Sequence, residues 1–120
     1  MITGKYPSLR LRRSRKNSWS RRLVSENNLS PSDFILPIFL IEGKNKTQPI
    51  KSMPGVNRYS INRLGIILDR AVKNDIPMVA LFPYTSSKLK NNLGSEALNE
   101  DNLVCRAIKY IKKRYKNKIG

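Results

Sequence analysis

The stretch FILPIFLIEG, residues 34–43, constrains the fold more than any other part of the sequence. Seven of its ten residues are large and apolar, and they follow one another without alternation. A strand with only one buried face alternates apolar and polar side chains. A continuous apolar run is typical of a strand covered on both faces, as in parallel sheets. It therefore predicts a buried strand over residues 35–41, although Pro37 lacks the N–H donor that a central strand uses.

A second run of the same kind, MVALFPYT at residues 78–85, predicts a second strand. Between the two runs, Ser60 is a candidate helix N-cap, and apolar residues recur at helical spacing as far as Lys73. Residues 44–59 are predicted to be a loop. Asn99 is a candidate cap of a third helix, whose predicted buried stripe consists of Leu103, Val104, Ala107, Ile108 and Ile111.

Strands that alternate with helices predict β/α units and a parallel sheet. We expect residues 35–41 and 78–84 to be neighbouring parallel strands with a right-handed crossover. Two parallel strands do not make a stable sheet alone, so further strands are expected to belong to this fold. The last four residues, NKIG, resemble the approach to a third strand.

The amino-terminal residues 1–17 show no apolar periodicity and are predicted to form an extended arm. Residues 18–28 then predict a short amphipathic helix, with Trp19, Leu23 and Val24 on one face. We expect Trp19 to be bound in the core, which argues against an exposed nucleic-acid-binding face of bases and aromatics. Pro31 after Ser30 predicts a tight turn or a single helical turn capped by Ser30.

The formal net charge is +16, and the basic residues concentrate near both ends. Eight lie between Lys5 and Arg22 and seven between Arg106 and Lys118, with no acid in either segment. Such charge is compatible with binding to nucleic acid or to an acidic membrane surface. The second group also has a structural reason, because the helix dipole favours bases in the last turns of a helix. We therefore expect neither nucleic acid nor membrane as a partner.

The sequence contains few features that indicate a targeting segment or a cellular compartment. No apolar run reaches the roughly 20 residues that cross a bilayer, and one cysteine gives no disulfide framework. A reducing cytoplasm is the expected location. The Arg- and Ser-rich, acid-free start leaves an organelle transit peptide as the alternative.

The inventory of reactive side chains is small. The chain has no histidine, hence no imidazole base, and a lone cysteine cannot build a zinc site. Cys105 falls beside the buried stripe of the third helix, which favours a small core residue over a nucleophile. Three acids, Glu96, Glu100 and Asp101, form a cluster. Glu100 and Asp101 are predicted to lie in the first turn of the third helix, which favours a structural role for them over a metal or acid–base site.

Four lysines and two other polar residues follow the strands, where the active-site loops of a parallel barrel lie. A catalytic lysine needs a desolvated or cation-crowded pocket to lose its proton. The Asn, Ser and Thr neighbours of these lysines predict solvated loops instead: Lys44, Lys46, Lys88 and Lys90. Tyr84 and Thr85 are candidates to line a pocket.

Four segments carry a family resemblance: RLRRSRKNSWSRRLVSENNLSPSDFILPIFLIEG, IKSMPGVNRYSI, VALFPYT and GSEALNEDNLVCRAIKYIK. In this order they resemble the amino-terminal third of the porphobilinogen synthase family, also called delta-aminolevulinic acid dehydratase. The resemblance runs from about Ser8 to Gly120, with Leu98 where relatives often have an aromatic residue.

The resemblance implies an α/β fold: a TIM barrel of which this chain supplies an amino-terminal arm (residues 1–32) and the first two β/α units (residues 33–120), truncated before the third strand. It also implies condensation of two 5-aminolevulinate molecules to porphobilinogen with loss of two waters, in tetrapyrrole biosynthesis. Zinc or magnesium is the implied metal. The implied assembly is a homo-octamer in which the arm contacts a neighbouring subunit. We expect Arg10, Arg12, Arg13 and Arg15 to make this contact, with Trp19 and Leu23 anchoring the arm by apolar burial.

The family's two Schiff-base lysines, its metal ligands and its carboxylate-binding arginines lie beyond the matched part. No catalytic, cofactor-binding or metal-binding residue is therefore assigned in this sequence, and the 120-residue chain alone is expected to be inactive. Two alternatives stay open: a small basic nucleic-acid-binding protein, and a non-catalytic relative that binds intact subunits.

Overall fold

The computed structural model describes residues 4–10 and 12–120, so Met1 to Thr3 and Leu11 of the predicted arm lie outside the described residues. The described part contains three α-helices and four strands. In chain order they are α1 (Ser18–Leu23), β1 (Ile35–Leu40), β2 (Thr47–Pro49), β3 (Asn57–Tyr59), α2 (Gly65–Lys73), β4 (Met78–Pro83) and α3 (Leu103–Tyr115).

The strands form one mixed sheet in the order β2-β3-β1-β4. β1 and β4 are parallel neighbours in a continuous register from Ile35 opposite Met78 to Leu40 opposite Pro83. This confirms the predicted parallel pair. β3 is parallel to β1 but pairs only with Phe39 and Leu40, and β2 is antiparallel to β3.

The prediction of a loop over residues 44–59 is wrong, because β2 and β3 lie within it. A turn at Met53 to Val56, closed by the Val56 N–H to Met53 carbonyl hydrogen bond of 3.0 Å, brings the two strands together. Each strand is three residues long. An alternation of period two cannot be recognised over so few residues.

The hydrophobic core lies on one face of the sheet, between the sheet and the helices α2 and α3. Ile38 and Leu40 of β1 pack there against a group of side chains from the helices: Leu64, Leu68, Ala71, Leu103, Ala107 and Ile111. The opposite face, called the open face below, carries the alternate residues of β1 and β4, and several of them are exposed, including Ile35, Met78 and Phe82. The apolar runs predict strands that are buried on both faces. Within the described part of the chain, one face of the strands is buried and the other is exposed.

The predicted helices exist, but their starts differ from the predictions. Ser60 is fully buried and does not cap α2; its hydroxyl donates to the carbonyl of Lys46 and accepts from the Lys46 N–H instead. α3 begins at Leu103, and its cap is Asn102 rather than Asn99, since Asn102 Oδ1 accepts from the Cys105 N–H at 2.9 Å.

Two further details of α3 correct the sequence interpretation. Glu100 and Asp101 precede the cap, so neither lies in the first turn of the helix. Ile108, predicted in the buried stripe, is exposed, whereas Tyr115 is buried in its place at the end of the stripe. The stripe therefore follows the i, i+4 spacing from Leu103 through Ala107 and Ile111 to Tyr115.

The chain is elongated and measures 71 × 36 × 26 Å along its principal axes. α1 ends at Leu23, not at Asn28. The expected core position of Trp19 is wrong, because Trp19 is 61% exposed. Leu23 is 78% exposed, and its expected burial against a neighbouring subunit stays a prediction. The predicted turn at Ser30 is confirmed, since Pro31–Asp33 form one 3-10 turn. There the Asp33 carboxylate accepts from the Ser30 N–H at 2.7 Å, which lowers the pKa of Asp33.

The carboxyl-terminal residues run along the free edge of β4. The Gly120 N–H donates to the Pro77 carbonyl at 2.8 Å, and the Gly120 carbonyl accepts from the Val79 N–H at 3.0 Å. In a parallel ladder, one residue forms hydrogen bonds with the residues before and after its partner, and here Gly120 bonds to Pro77 and Val79 on either side of Met78. Residues predicted to approach a third strand therefore make a parallel rung on β4.

Tyr115 joins α3 to α2 through a polar contact at the edge of the core. Its hydroxyl donates to Asp69 Oδ1, and Arg114 Nη2 lies 3.6 Å from the other oxygen of that carboxylate. Burial, followed by the hydrogen bond to Asp69, raises the pKa of Tyr115 to about 12. The neutral phenol is therefore the form that the folded state favours.

We expect Tyr115→Phe to lower the free energy of unfolding at neutral pH by about 1–2 kcal/mol, through loss of this hydrogen bond. Because folding raises the pKa above its ordinary value of 10.0, the stabilisation is fully present below pH 10 and is lost as the pH rises through 12. Urea unfolding from neutral pH to about pH 12 should show the two proteins converging. A constant difference over that range would contradict the assignment.

Candidate functional site

A cavity of about 500 Å³ lies at the carboxyl ends of β1 and β4, between these strand ends and the start of α3. Its wall is mainly apolar, with Leu89, Ala97 and Leu103 among the lining residues. Polar groups enter it from the two loops that follow the strands: Glu42, Lys46, Tyr84, Thr85, Ser86 and Glu96. Tyr84 and Thr85 thus line a pocket, as their position after a strand predicts. In parallel α/β sheets, this end of the strands is where ligands bind.

The loop after β1 is held in a fixed conformation beside the cavity. Gly43 has φ +114°, where a side chain is strained, and an added Cβ would meet the Lys46 side chain at 2.8 Å. Asn45 also has a positive φ, and its N–H donates to Asn62 Oδ1 at 3.0 Å. This network places the aliphatic part of Lys46 over Gly43 at the cavity wall.

Glu42 is the second residue of that loop, and it forms an ion pair with Arg106 of α3. The two side chains are 56% and 41% exposed, so solvent screens the pair and it contributes little stability. Its effect is geometric, because it ties the end of β1 to the helix that closes the cavity. Sequence reasoning missed this pair, since its members are far apart in the chain and carry no local pattern.

The four candidate lysines do not come together at one site. Lys44, Lys46, Lys88 and Lys90 are all exposed, and of these only Lys46 lines the cavity. No buried cation crowds them within the described chain. The surroundings of these four residues therefore lack the features that activate a lysine amine.

The acidic residues that are close in the sequence do not form a cluster in the structure. Glu96 lines the cavity and accepts a long hydrogen bond of 3.4 Å from Asn99 Nδ2, whereas Asp101 points to Lys109 at 3.3 Å. Cys105 is a half-buried free thiol on α3 and does not line the cavity. Among the described residues no group of three or more His, Cys, Asp or Glu side chains could hold a metal ion. The donor set of this part of the chain therefore does not fit a metal centre.

The open face of the sheet carries an aromatic group that sequence reasoning did not identify. The rings of Phe39 and Phe82 lie 5.6 Å apart, and the Arg58 guanidinium lies 5.0 Å from the centre of the Tyr84 ring. Arg58 was assigned to a loop, so its register opposite Phe39 could not be predicted. The face is thus apolar along β1 and β4, and the Arg58 guanidinium lies at the carboxyl ends of the strands.

None of the helices in the described part is both long and apolar enough to cross a membrane.

Comparisons with known proteins agree with the resemblance seen in the sequence. The family model for delta-aminolevulinic acid dehydratase matches residues 8–119. The delta-aminolevulinic acid dehydratase of Bradyrhizobium diazoefficiens is 50% identical over 108 residues, which are 90% of this chain and 31% of that protein. The enzyme of the same name from Ruminiclostridium josui is 40% identical over 106 residues, covering 88% of this chain and 51% of that protein.

A solved structure gives the same result for the fold. The crystal structure of delta-aminolevulinic acid dehydratase (porphobilinogen synthase) from Toxoplasma gondii, in complex with the reaction product porphobilinogen, superposes with a TM-score of 0.73 and 36% identity. It covers 91% of this chain, and this chain spans 31% of that one. The α/β architecture with its mixed sheet is therefore similar to the corresponding third of that enzyme.

Proposed function

Because the chain belongs to the delta-aminolevulinic acid dehydratase family, we propose that residues 33–120 form the first two β/α units of the family's TIM barrel and residues 1–32 its arm. The family match over residues 8–119 carries this proposal. The parallel pair of β1 and β4, with both following helices on one face, supports it. In a barrel the helices lie outside and the opposite sheet face points to the interior.

The whole protein is proposed to be a lyase of haem biosynthesis. It condenses two molecules of 5-aminolevulinate into porphobilinogen and releases two molecules of water. The carboxyl ends of β1 and β4 then lie at the catalytic end of the barrel, where the strand-to-helix loops form the site. The cavity beside Glu42 and Tyr84 opens at that end.

Residues 1–120 contribute wall and scaffold to this reaction rather than reactive groups. The exposed lysines lack an activating environment, and the dispersed acids do not fit a metal. We propose that the Schiff-base lysines, and the ligands of the magnesium or zinc that the whole enzyme uses, come from later strands of a family barrel. The chain of 120 residues alone is then inactive. The proposed location is the cytoplasm, and the proposed assembly is a homo-octamer.

A fusion protein tests the activity. Residues 1–120 are joined to the part of the Bradyrhizobium relative that lies beyond its match to this chain, and porphobilinogen formation from 5-aminolevulinate is measured. We expect the fusion protein to be active and isolated residues 1–120 to show no turnover. In the fusion protein, Lys44→Ala and Lys88→Ala should each keep activity within about twofold, because a surface lysine contributes no transition-state contact.

Two results would contradict the proposal. One is a folded fusion protein without activity. The other is turnover by isolated residues 1–120 that disappears in Lys44→Ala or Lys88→Ala, because it would place the reactive amine in this part of the chain.

A further inference from the structure

We propose that residues 57–62, which comprise β3 and the residues that follow it, are a brace that positions both loops at the carboxyl ends of β1 and β4. Arg58 holds the loop after β4, and Ser60 with Asn62 holds the loop after β1. These three are positioning residues, because they act on the substrate through the cavity wall that the loops form. The inference rests on the proposed function and gives this segment a part in substrate binding.

Arg58 reaches across β1 to the loop after β4. In the sheet β1 lies between β3 and β4, so Arg58 and Tyr84 belong to segments that are not neighbours. The Arg58 guanidinium nevertheless lies 5.0 Å from the centre of the Tyr84 ring, within the range of a cation–π contact. Arg58 is half-buried, and none of the ion pairs among the described residues includes it.

Tyr84 is therefore fixed at two points where the loop after β4 begins. Its backbone N–H donates to the Leu40 carbonyl at 2.9 Å, which attaches it to the end of β1. Its ring contacts Arg58, which attaches the side chain to β3. Tyr84 and the two residues after it line the cavity, so this double attachment sets the course of the wall.

Ser60 and Asn62 hold the loop after β1. Ser60 is fully buried; its N–H donates to the Lys46 carbonyl at 3.0 Å, and its Oγ accepts from the Lys46 N–H at 2.9 Å. Asn62 Oδ1 accepts from the Asn45 N–H at 3.0 Å, and Asn62 Nδ2 donates to Asn45 Oδ1. Asn45 has φ +57°, an uncommon conformation that these hydrogen bonds help to maintain.

One short segment thus holds both loops that line the cavity. The loop after β1 supplies Glu42 and Lys46, and the loop after β4 supplies Tyr84, Thr85 and Ser86. A wall that is already ordered lowers the conformational cost of binding. Loosening either loop should therefore weaken substrate binding more than it slows the chemical step, which appears as a higher KM at a nearly constant kcat.

Limited digestion with trypsin tests the two attachments separately, because each loop carries two exposed lysines: Lys44 and Lys46 after β1, and Lys88 and Lys90 after β4. Cleavage of a loop follows its local opening. In the 120-residue chain and in the fusion protein, Arg58→Met should speed cleavage of the loop after β4 about fivefold and change the other loop less than twofold. Asn62→Ala should show the reverse pattern. Mass spectrometry identifies the cleaved bonds.

Steady-state kinetics of the fusion protein test the effect on the substrate. We expect Arg58→Met to raise KM for 5-aminolevulinate about fivefold and to leave kcat within about twofold. Arg58→Lys should recover most of this loss, since an ammonium also binds an aromatic face. Tyr84→Leu should raise KM as Arg58→Met does, and the double variant should be no worse than either single one, because both remove the same contact.

Two matched controls come from the same part of the chain. Arg63→Met removes an exposed guanidinium, and Asn57→Ala removes a half-buried amide of β3. Each should change cleavage of both loops and KM by less than about twofold. Circular dichroism checks that every variant is folded, and Tyr84→Leu replaces Arg58→Met if the latter is not.

Equal acceleration of cleavage in both loops by Arg58→Met and by Asn62→Ala would overturn the inference, because it would show general loosening. So would an unchanged KM in Arg58→Met, or a loss of activity that Arg58→Lys does not recover. A folded fusion protein without activity would refute the proposed function, whereas loop-specific cleavage in the same variants would still support the brace. The two failures are therefore distinguishable.

Discussion

Replacing Leu64 by alanine is expected to lower the free energy of unfolding by about 2–5 kcal/mol. Leu64 is fully buried where the start of α2 meets β1 and α3. The substitution removes apolar contacts and leaves a cavity that the surrounding helices fill only in part. Because a small domain is stable by about 5–15 kcal/mol, this single change removes a large part of the total.

Ile66→Ala is the matched control, since Ile66 lies two residues further along and is 47% exposed. A surface change of this kind should stay within about 0.5 kcal/mol. Urea unfolding monitored by circular dichroism compares the two midpoints, and the slopes should be equal if only stability changes. Similar midpoints for the two variants would show that Leu64 is not part of the core.

The sequence predicts the parallel pair because β1 and β4 are six residues long and continuously apolar. β2 and β3 were missed because their pairing depends on a turn and on contact with β1, not on a local pattern. The cap of α3 shows a similar limit. Asn99 and Asn102 are three residues apart and chemically equivalent as caps, and the choice follows from burial of Leu103 and from the 3-10 turn at Ser95–Leu98.

Some features of the candidate site could likewise be predicted from the sequence, and others could not. The end of a strand can be located from sequence, so Tyr84 and Thr85 were placed near a pocket. The ion pair of Glu42 with Arg106 could not be predicted, because tertiary folding alone brings these residues together. Helical spacing identified one face of α1, but spacing does not say what covers that face, and Trp19 is exposed.

The exposure of Trp19 is compatible with two roles of the arm, nucleic-acid binding and anchoring on a neighbouring subunit. A nucleic-acid-binding surface presents an exposed aromatic residue among bases, so the exposure of Trp19 removes the argument against that function that a core position would give. The same exposed helix is also what an arm needs in order to anchor on a neighbouring subunit, since aromatic residues dominate interface energies. The two hypotheses differ in what Trp19 contacts and in how salt affects binding.

For the fusion protein, we expect deletion of residues 1–17 to reduce the assembly to smaller species in light scattering. Trp19→Ala should weaken association by about 2 kcal/mol or more, which is roughly 30-fold. Leu93→Ala is the control outside the arm, because Leu93 is 89% exposed in the loop before α3, and it should leave the assembly unchanged.

RNA affinity of the same proteins, measured at two salt concentrations, separates the alternatives. Subunit anchoring through Trp19 depends mainly on apolar burial and should vary little with salt. Binding of RNA by Arg10, Arg12, Arg13 and Arg15 would release counterions, so affinity would fall steeply as salt rises. An assembly that keeps its size after the deletion, together with a large and salt-sensitive loss of RNA binding, would refute the subunit arm and favour a nucleic-acid-binding arm.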